Sequence, residues 1–187
     1  MTAPGADRPP TRLELVRAEA AHVLGPKAAA RVDSFPDGVL HVGAGELRRL
    51  LSWLVDFAVC LLAVGVGFVV LSGLSTAGKI DDGRLVLAAI ALLVLVPPLY
   101  GLGYGNGRAL GALLTGTRLV RVADGGRIGL KAPWAMTVRT ALLPLVIVAT
   151  VAGGGPPGSL VRTSIDSRGT RRLHAAGLRN LADQRVP

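Results

Sequence analysis

Asp56 is the residue that most needs a chemical explanation: a lone carboxylate in the apolar run SWLVDFAVCLL, Ser52 to Leu62. Arg49 stands seven residues earlier, so on a helix the two share nearly one face and lie about 10 Å apart along the axis. A carboxylate in hydrocarbon costs on the order of a few kcal/mol unless it is paired, hydrated or protonated. Two readings are open for the intramembrane polar pair Arg49 and Asp56. Asp56 is either a functional group or a structural one, the latter being a shallow, water-accessible residue or a fixed partner for arginine that holds helices together. Gly65 and Gly67 further along allow close helix approach.

No other constellation carries chemistry. The serines and histidines stand far apart and no glycine elbow frames a serine, so no catalytic residue and no enzymatic activity is expected. His22 has no cysteine or second histidine near it in sequence, so no metal site and no cofactor is expected either. Gly105, Gly107 and Gly111 resemble a nucleotide-binding glycine loop only in composition. They follow an apolar span instead of a buried strand, and no P-loop lysine comes after them. The single cysteine, Cys60, excludes an intramolecular disulfide.

The elements that must hold Asp56 are membrane helices. From Arg48 to Leu74 the chain reads RRLLSWLVDFAVCLLAVGVGFVVLSGL. About 20 apolar residues at 1.5 Å each cross about 30 Å of hydrocarbon, and this run suffices. A soluble core helix rarely stays apolar on every face for so long, and a signal peptide has a shorter apolar region. A second span is expected from Leu85 to about Tyr100, with Pro97-Pro98 removing two backbone donors and predicting a kink or a broken last turn. A third apolar stretch, 136–152, is short for a crossing and holds Pro144, so it either spans or is re-entrant.

Outside the spans, residues 1–10 are proline-rich and polar. Thr11 to Leu24 predicts a short amphipathic helix with Thr11 and Glu14 as a capping box and Leu13, Val16, Ala20 and Val23 at helical spacing, closed by Gly25-Pro26. Residues 25–45 are turn-rich. Arg118–Val122 and Arg127–Leu130, separated by Ala-Asp-Gly-Gly, predict a small cytoplasmic β-hairpin. The expected class is an all-α membrane protein with two transmembrane helices, a third apolar helix and that hairpin. Its divisions are an N-terminal extension over 1–45, a membrane domain over 46–182 and a C-terminal end over 183–187.

Half of the residues are hydrophobic and the formal net charge is +9. The arginines flank the apolar spans, so the expected counter-charge is the lipid bilayer with its anionic headgroups and not nucleic acid. Lysine and arginine are frequent before the first span and after the second, and sparse between them (Lys79, Arg84), which places the N-terminus and residues 108–131 in the cytoplasm. The six arginines of the tail also vote for the inside, which conflicts with a third full crossing.

RRLLSWLVD (Arg48 to Asp56) and GRALGALLTGTRLVRVADGG (Gly107 to Gly126) resemble the RDD family of small bacterial membrane proteins. The first matches that family's Arg-then-Asp helix, and the second its loop of the form GRTxGKRLxGLRVVDxxG. The tail RRLHAAGLRNL (Arg171 to Leu181) is similar to the family's closing RxLHDxxAGT. Carried over, Arg49 and Asp56 match the first two name-giving residues, while Ala175 follows His174 where the family has Asp. The loop's lysine-arginine pair is Ala112-Leu113 here. The motif residues are Gly107, Arg108, Gly111, Gly116 and Arg118 in the loop and Arg172 and His174 in the tail. The resemblance implies two or three spans in a bacterial inner membrane and a role often proposed as transport. The missing aspartate tilts the expectation toward a non-catalytic interaction or accessory protein that binds anionic lipid or a protein partner. Transport or ion coupling through Asp56 and Arg49 is the alternative, and it calls for a homo-oligomer or a membrane-protein partner, because two or three spans enclose little volume.

Overall fold

The computed structural model describes residues 9–141 and 162–183. Helix α1, Arg12–Leu24, starts at the expected capping box: Glu14 N donates to Thr11 Oγ1 at 3.3 Å and Thr11 N donates to Glu14 Oε2 at 2.6 Å. Gly25, at φ 81°, ends it in a conformation that L side chains avoid, and Pro26 opens the single turn α2, Pro26–Ala29. The turn-rich stretch beyond holds an unforeseen hairpin, β1 (Val32–Ser34) paired antiparallel with β2 (Leu40–Val42).

Helix α3, Glu46–Thr76, and helix α4, Asp82–Leu102, are long and apolar enough to cross a membrane. At 1.5 Å per residue they measure about 46 Å and about 32 Å. Only 11% of each apolar window is buried inside the protein, whereas a soluble core helix is mostly buried. Leu61, Leu62, Val69, Leu87, Leu93 and Leu99 are exposed along them, a surface suited to lipid and not to water. Asp81 caps α4 by accepting from Arg84 N at 2.9 Å. Gly67 lies where a Cβ would press on Leu92, so it does permit close approach of α3 and α4; nothing lies within reach of a Cβ at Gly65. Helix α4 runs through Pro97-Pro98 to Leu102 without the expected break. The prolines fall near its end and deprive only the Leu93 and Val94 carbonyls of helical partners.

Below α4 come α5 (Leu110–Thr115), β3 (Thr117–Arg121), a 3-10 turn at Gly129–Lys131 and α6 (Ala132–Ala141), which packs against α4. Gly101 sits under Pro133, so close that a Cβ there would displace the backbone of α6. The expected hairpin is corrected here. Its turn exists, with Gly125 N donating to Arg121 O at 2.9 Å, but the run Arg127–Leu130 leads into the 3-10 turn instead of a strand. The partner of β3 is β4, Arg162–Asp166, antiparallel from Thr117↔Asp166 to Arg121↔Arg162. The third apolar stretch, 136–152, is helical to Ala141 and otherwise lies outside the described residues.

Helix α7, Ser167–Ala175, follows β4 directly and returns to the N-terminal lobe. Val16 and Ala20 of α1, Ala29, Val32, Leu40 and Val42 form one core with Leu173 and Leu178 from the tail. His174 Nε2 lies 2.7 Å from the Leu40 carbonyl oxygen. A bridge from Gly43 to Ile165 and the bond from Ala44 N to Ser164 O, 2.9 Å, join this lobe to the β3–β4 pair. The foot of α3, the lobe, α5 and the β3–β4 pair therefore gather at one end of the two long helices, opposite the 77–81 connection.

Candidate functional site

Ser52, Asp56 and Cys60 recur every fourth residue and form the buried stripe of α3. Asp56 is 2% exposed. Its Oδ1 accepts from Tyr100 Oη at 2.8 Å and from Gly111 N at 2.9 Å. Tyr100 Oη in turn accepts from Leu110 N at 3.2 Å. Leu110 and Gly111 open α5, whose N-cap is Ala109, a residue with no side-chain acceptor. The first amide groups of a helix have no partner within it, and away from water each needs one. Asp56 and Tyr100 supply what Ala109 cannot, capping α5 from two other helices. The positive end of the α5 backbone also favours a carboxylate there.

This arrangement explains Gly111: a Cβ at that position would overlap the Ser52 carbonyl, so only glycine lets α5 approach α3. The other motif glycines shape the same loop. Gly107, at φ 70°, turns the chain so closely to the Leu119 carbonyl that a Cβ would overlap it, and its own oxygen accepts from Leu119 N at 3.0 Å. Gly116, at φ 68°, ends α5 in the left-handed region. Arg118 Nε donates to Asn106 O at 3.2 Å and braces the loop, whereas Arg108 is exposed.

The expected pair of Arg49 and Asp56 is not formed. Arg49 is exposed, and among the described residues no ion pair holds it. Two turns of helix separate the pair, while the tyrosine hydroxyl and a backbone amide lie within hydrogen-bonding distance of the carboxylate. The arginine that is engaged is its neighbour Arg48, whose Nη1 lies 2.6 Å from Asp166 Oδ2. Asp166 is also the N-cap of α7, its Oδ1 accepting from Arg168 N and Gly169 N at 3.0 Å each. In the tail motif, Arg172 is exposed and His174 anchors α7 to β2. The Ala112-Leu113 pair divides between environments: Ala112 is buried in a second small core with Tyr104, Ile128 and Met136, and Leu113 is 54% exposed.

Sequence reading missed Tyr100, Asp166 and Arg48. Tyr100 had a signal, being one of only two tyrosines and lying at the end of an apolar span. Asp166 also had one, since Asp-Ser-Arg-Gly reads as a helix N-cap.

Two long lipid-suited helices, a carboxylate buried between them and a basic end define a helical membrane protein. The model of the RDD family matches residues 44–161, well over half of the sequence, and the chain belongs to that family. The tail motif lies beyond the matched residues. No curated protein and no solved structure matches the chain closely enough to carry an inference.

Proposed function

We propose that this protein is a non-catalytic, multi-pass interaction protein of a bacterial cytoplasmic membrane, whose basic cytoplasmic end engages anionic lipid headgroups or a protein partner. The observation that carries this reading is the bonding of Asp56. Its Oδ1 holds Tyr100 Oη and Gly111 N, so the acid in the first span serves to dock α5 onto α3 and α4. Around that dock the arginines stand at one end, among them Arg48, Arg49, Arg108, Arg168, Arg171 and Arg172, as a cytoplasmic face beside an anionic leaflet requires. The orientation places the 77–81 connection outside.

The test is reconstitution into vesicles. The interaction reading expects Asp56→Asn to lower stability with no ion flux lost, because none is present in the wild type. Ion flux in wild-type vesicles that Asp56→Asn abolishes would replace it with ion coupling. That second reading has one observation in its favour, the buried stripe Ser52, Asp56 and Cys60 along a membrane helix.

A further inference from the structure

At the foot of α3 a cavity of about 330 Å³ is lined by Arg48, Leu51, Leu114, Thr115 and Arg168. Its lining combines two arginines with two leucines and a threonine, and no acidic residue lines it. Asp166 bonds Arg48 from the side with one oxygen and is occupied with the α7 amides through the other. No side-chain bond of Arg168 is found among the described residues. Its guanidinium passes the C-terminal end of α5, with Nε 3.7 Å from where a Cβ of Gly116 would stand. Of the two guanidinium groups only that of Arg48 is paired with a carboxylate among the described residues, and the charge of Arg168 is left over.

The level of the cavity matters as much as its charge. Arg48 precedes Asp56 by eight residues, which is about 12 Å along the helix. The continuous apolar run begins at Leu50, so Arg48 stands where hydrocarbon gives way to headgroups. The cavity's apolar lining is open, with Leu114 75% and Leu51 44% exposed, and Leu54, three residues further along α3, is 45% exposed. In water such a wall next to two arginines has no partner, but an acyl chain above a phosphate satisfies both.

We infer that this cavity is a seat for one anionic phospholipid, its phosphate held between Arg48 and Arg168 and an acyl chain lying along Leu51, Leu54 and Leu114. The inference rests on the reading that this end of the protein faces an anionic leaflet. Arg168 is the separable half of the seat. Arg48 also holds Asp166, so replacing it disturbs the fold, whereas the Arg168 side chain bonds nothing among the described residues. Guanidinium grips phosphate with two parallel hydrogen bonds, which lysine cannot reproduce.

The test uses the full chain in a neutral detergent, with thermal unfolding followed as phosphatidylglycerol is added to the micelles. Phosphatidylcholine and inorganic phosphate serve as parallel additions. The melting temperature is expected to rise with phosphatidylglycerol alone. Arg168→Gln is expected to raise the half-saturating lipid fraction about fivefold, the scale of one basic residue at an anionic surface. Arg168→Lys should recover part of that loss, and Leu114→Ser should weaken the response from the apolar side. Arg12→Gln, at an exposed residue of α1 that does not line the cavity, should leave it unchanged. Equal weakening by Arg12→Gln, or equal stabilisation by inorganic phosphate, would overturn the seat. A wild type indifferent to phosphatidylglycerol overturns the anionic-leaflet reading as well. A clear wild-type response that neither Arg168→Gln nor Leu114→Ser alters overturns the seat alone.

Discussion

Tyr100 Oη lies 2.8 Å from Asp56 Oδ1, and this contact joins residues 44 apart in sequence across the two long helices. The hydroxyl donates to the carboxylate and accepts from Leu110 N, so it is the link through which both helices hold the start of α5.

Tyr100→Phe keeps the ring and removes the link. Leu110 N then has no acceptor and Asp56 loses a donor, a change that costs about 1–3 kcal/mol for a buried polar group. Asp56→Asn is expected to cost a similar amount. Because the two residues share one network, the double variant should be less destabilised than the sum of the single ones. Thermal unfolding in detergent measures all three, and simple additivity would count against the shared dock.

Gly111→Ala places a methyl group on the Ser52 carbonyl, which belongs to the backbone of a packed helix and cannot swing aside. A loss of about 3 kcal/mol or more, or failure to fold, is expected from overpacking at such a site. Gly73→Ala is the internal control, since nothing lies within 4 Å of its Cβ position. Its melting temperature should stay level or rise. Equal behaviour of the two variants would remove the close approach of α5 as the reason for the glycine.

Single cysteines in a Cys60→Ala background read the arrangement across the membrane. Ala123 and Ala176 are exposed at the end where the lobe and the β3–β4 pair meet, and Ser75 lies at the other end of α3. Labels at Ala123→Cys and Ala176→Cys are expected from the cytoplasmic side only, and at Ser75→Cys from the outside only. Labelling of Ala123→Cys and Ala176→Cys from opposite sides is incompatible with the pairing of β3 and β4.

His41 makes the lobe sensitive to acid. It is 6% exposed and stacks on Phe35 with ring centroids 4.0 Å apart. Burial holds its pKa below the usual 6.5, with Asp33 and a backbone hydrogen bond at Val39 opposing the shift. The folded lobe therefore binds the proton less readily than the unfolded chain. Stability is complete above the unfolded pKa and declines as pH falls from about 6.5 toward the folded value. The melting temperature is expected to fall between pH 7.5 and pH 5, and by less in His41→Phe. An identical slope in that variant would assign the acid sensitivity to other groups.

The long helices and the capping box of α1 were legible because their signals are local: an unbroken apolar run, and a threonine three residues before a glutamate. Asp56 was legible as a buried acid in need of partners, but its partners were not. A backbone amide such as Gly111 N has no residue type to betray it, and an arginine nearby in sequence was the more visible candidate. The strand at Thr117–Arg121 was visible in its alternation, yet alternation gives no hint of the partner. Arg162–Asp166, some 40 residues on, prevailed over the adjacent Arg127–Leu130. Strands of three residues at Val32–Ser34 and Leu40–Val42 are too short for any period to show.

The core that joins α1 to α7 sets an order of events during synthesis. Val16, Ala20 and Leu40 leave the ribosome early, but Leu173 and Leu178 cover them only after both long helices and everything between have been made. Until then the segment from α1 to β2 holds an apolar face with no lid, beside a chain already entering the bilayer. Closing so distant a contact is slow compared with forming a helix. Maturation of the N-terminal lobe is thus timed by a stretch translated after both long helices, and a ribosome stalled before Leu173 would leave those two helices carrying an unfinished head.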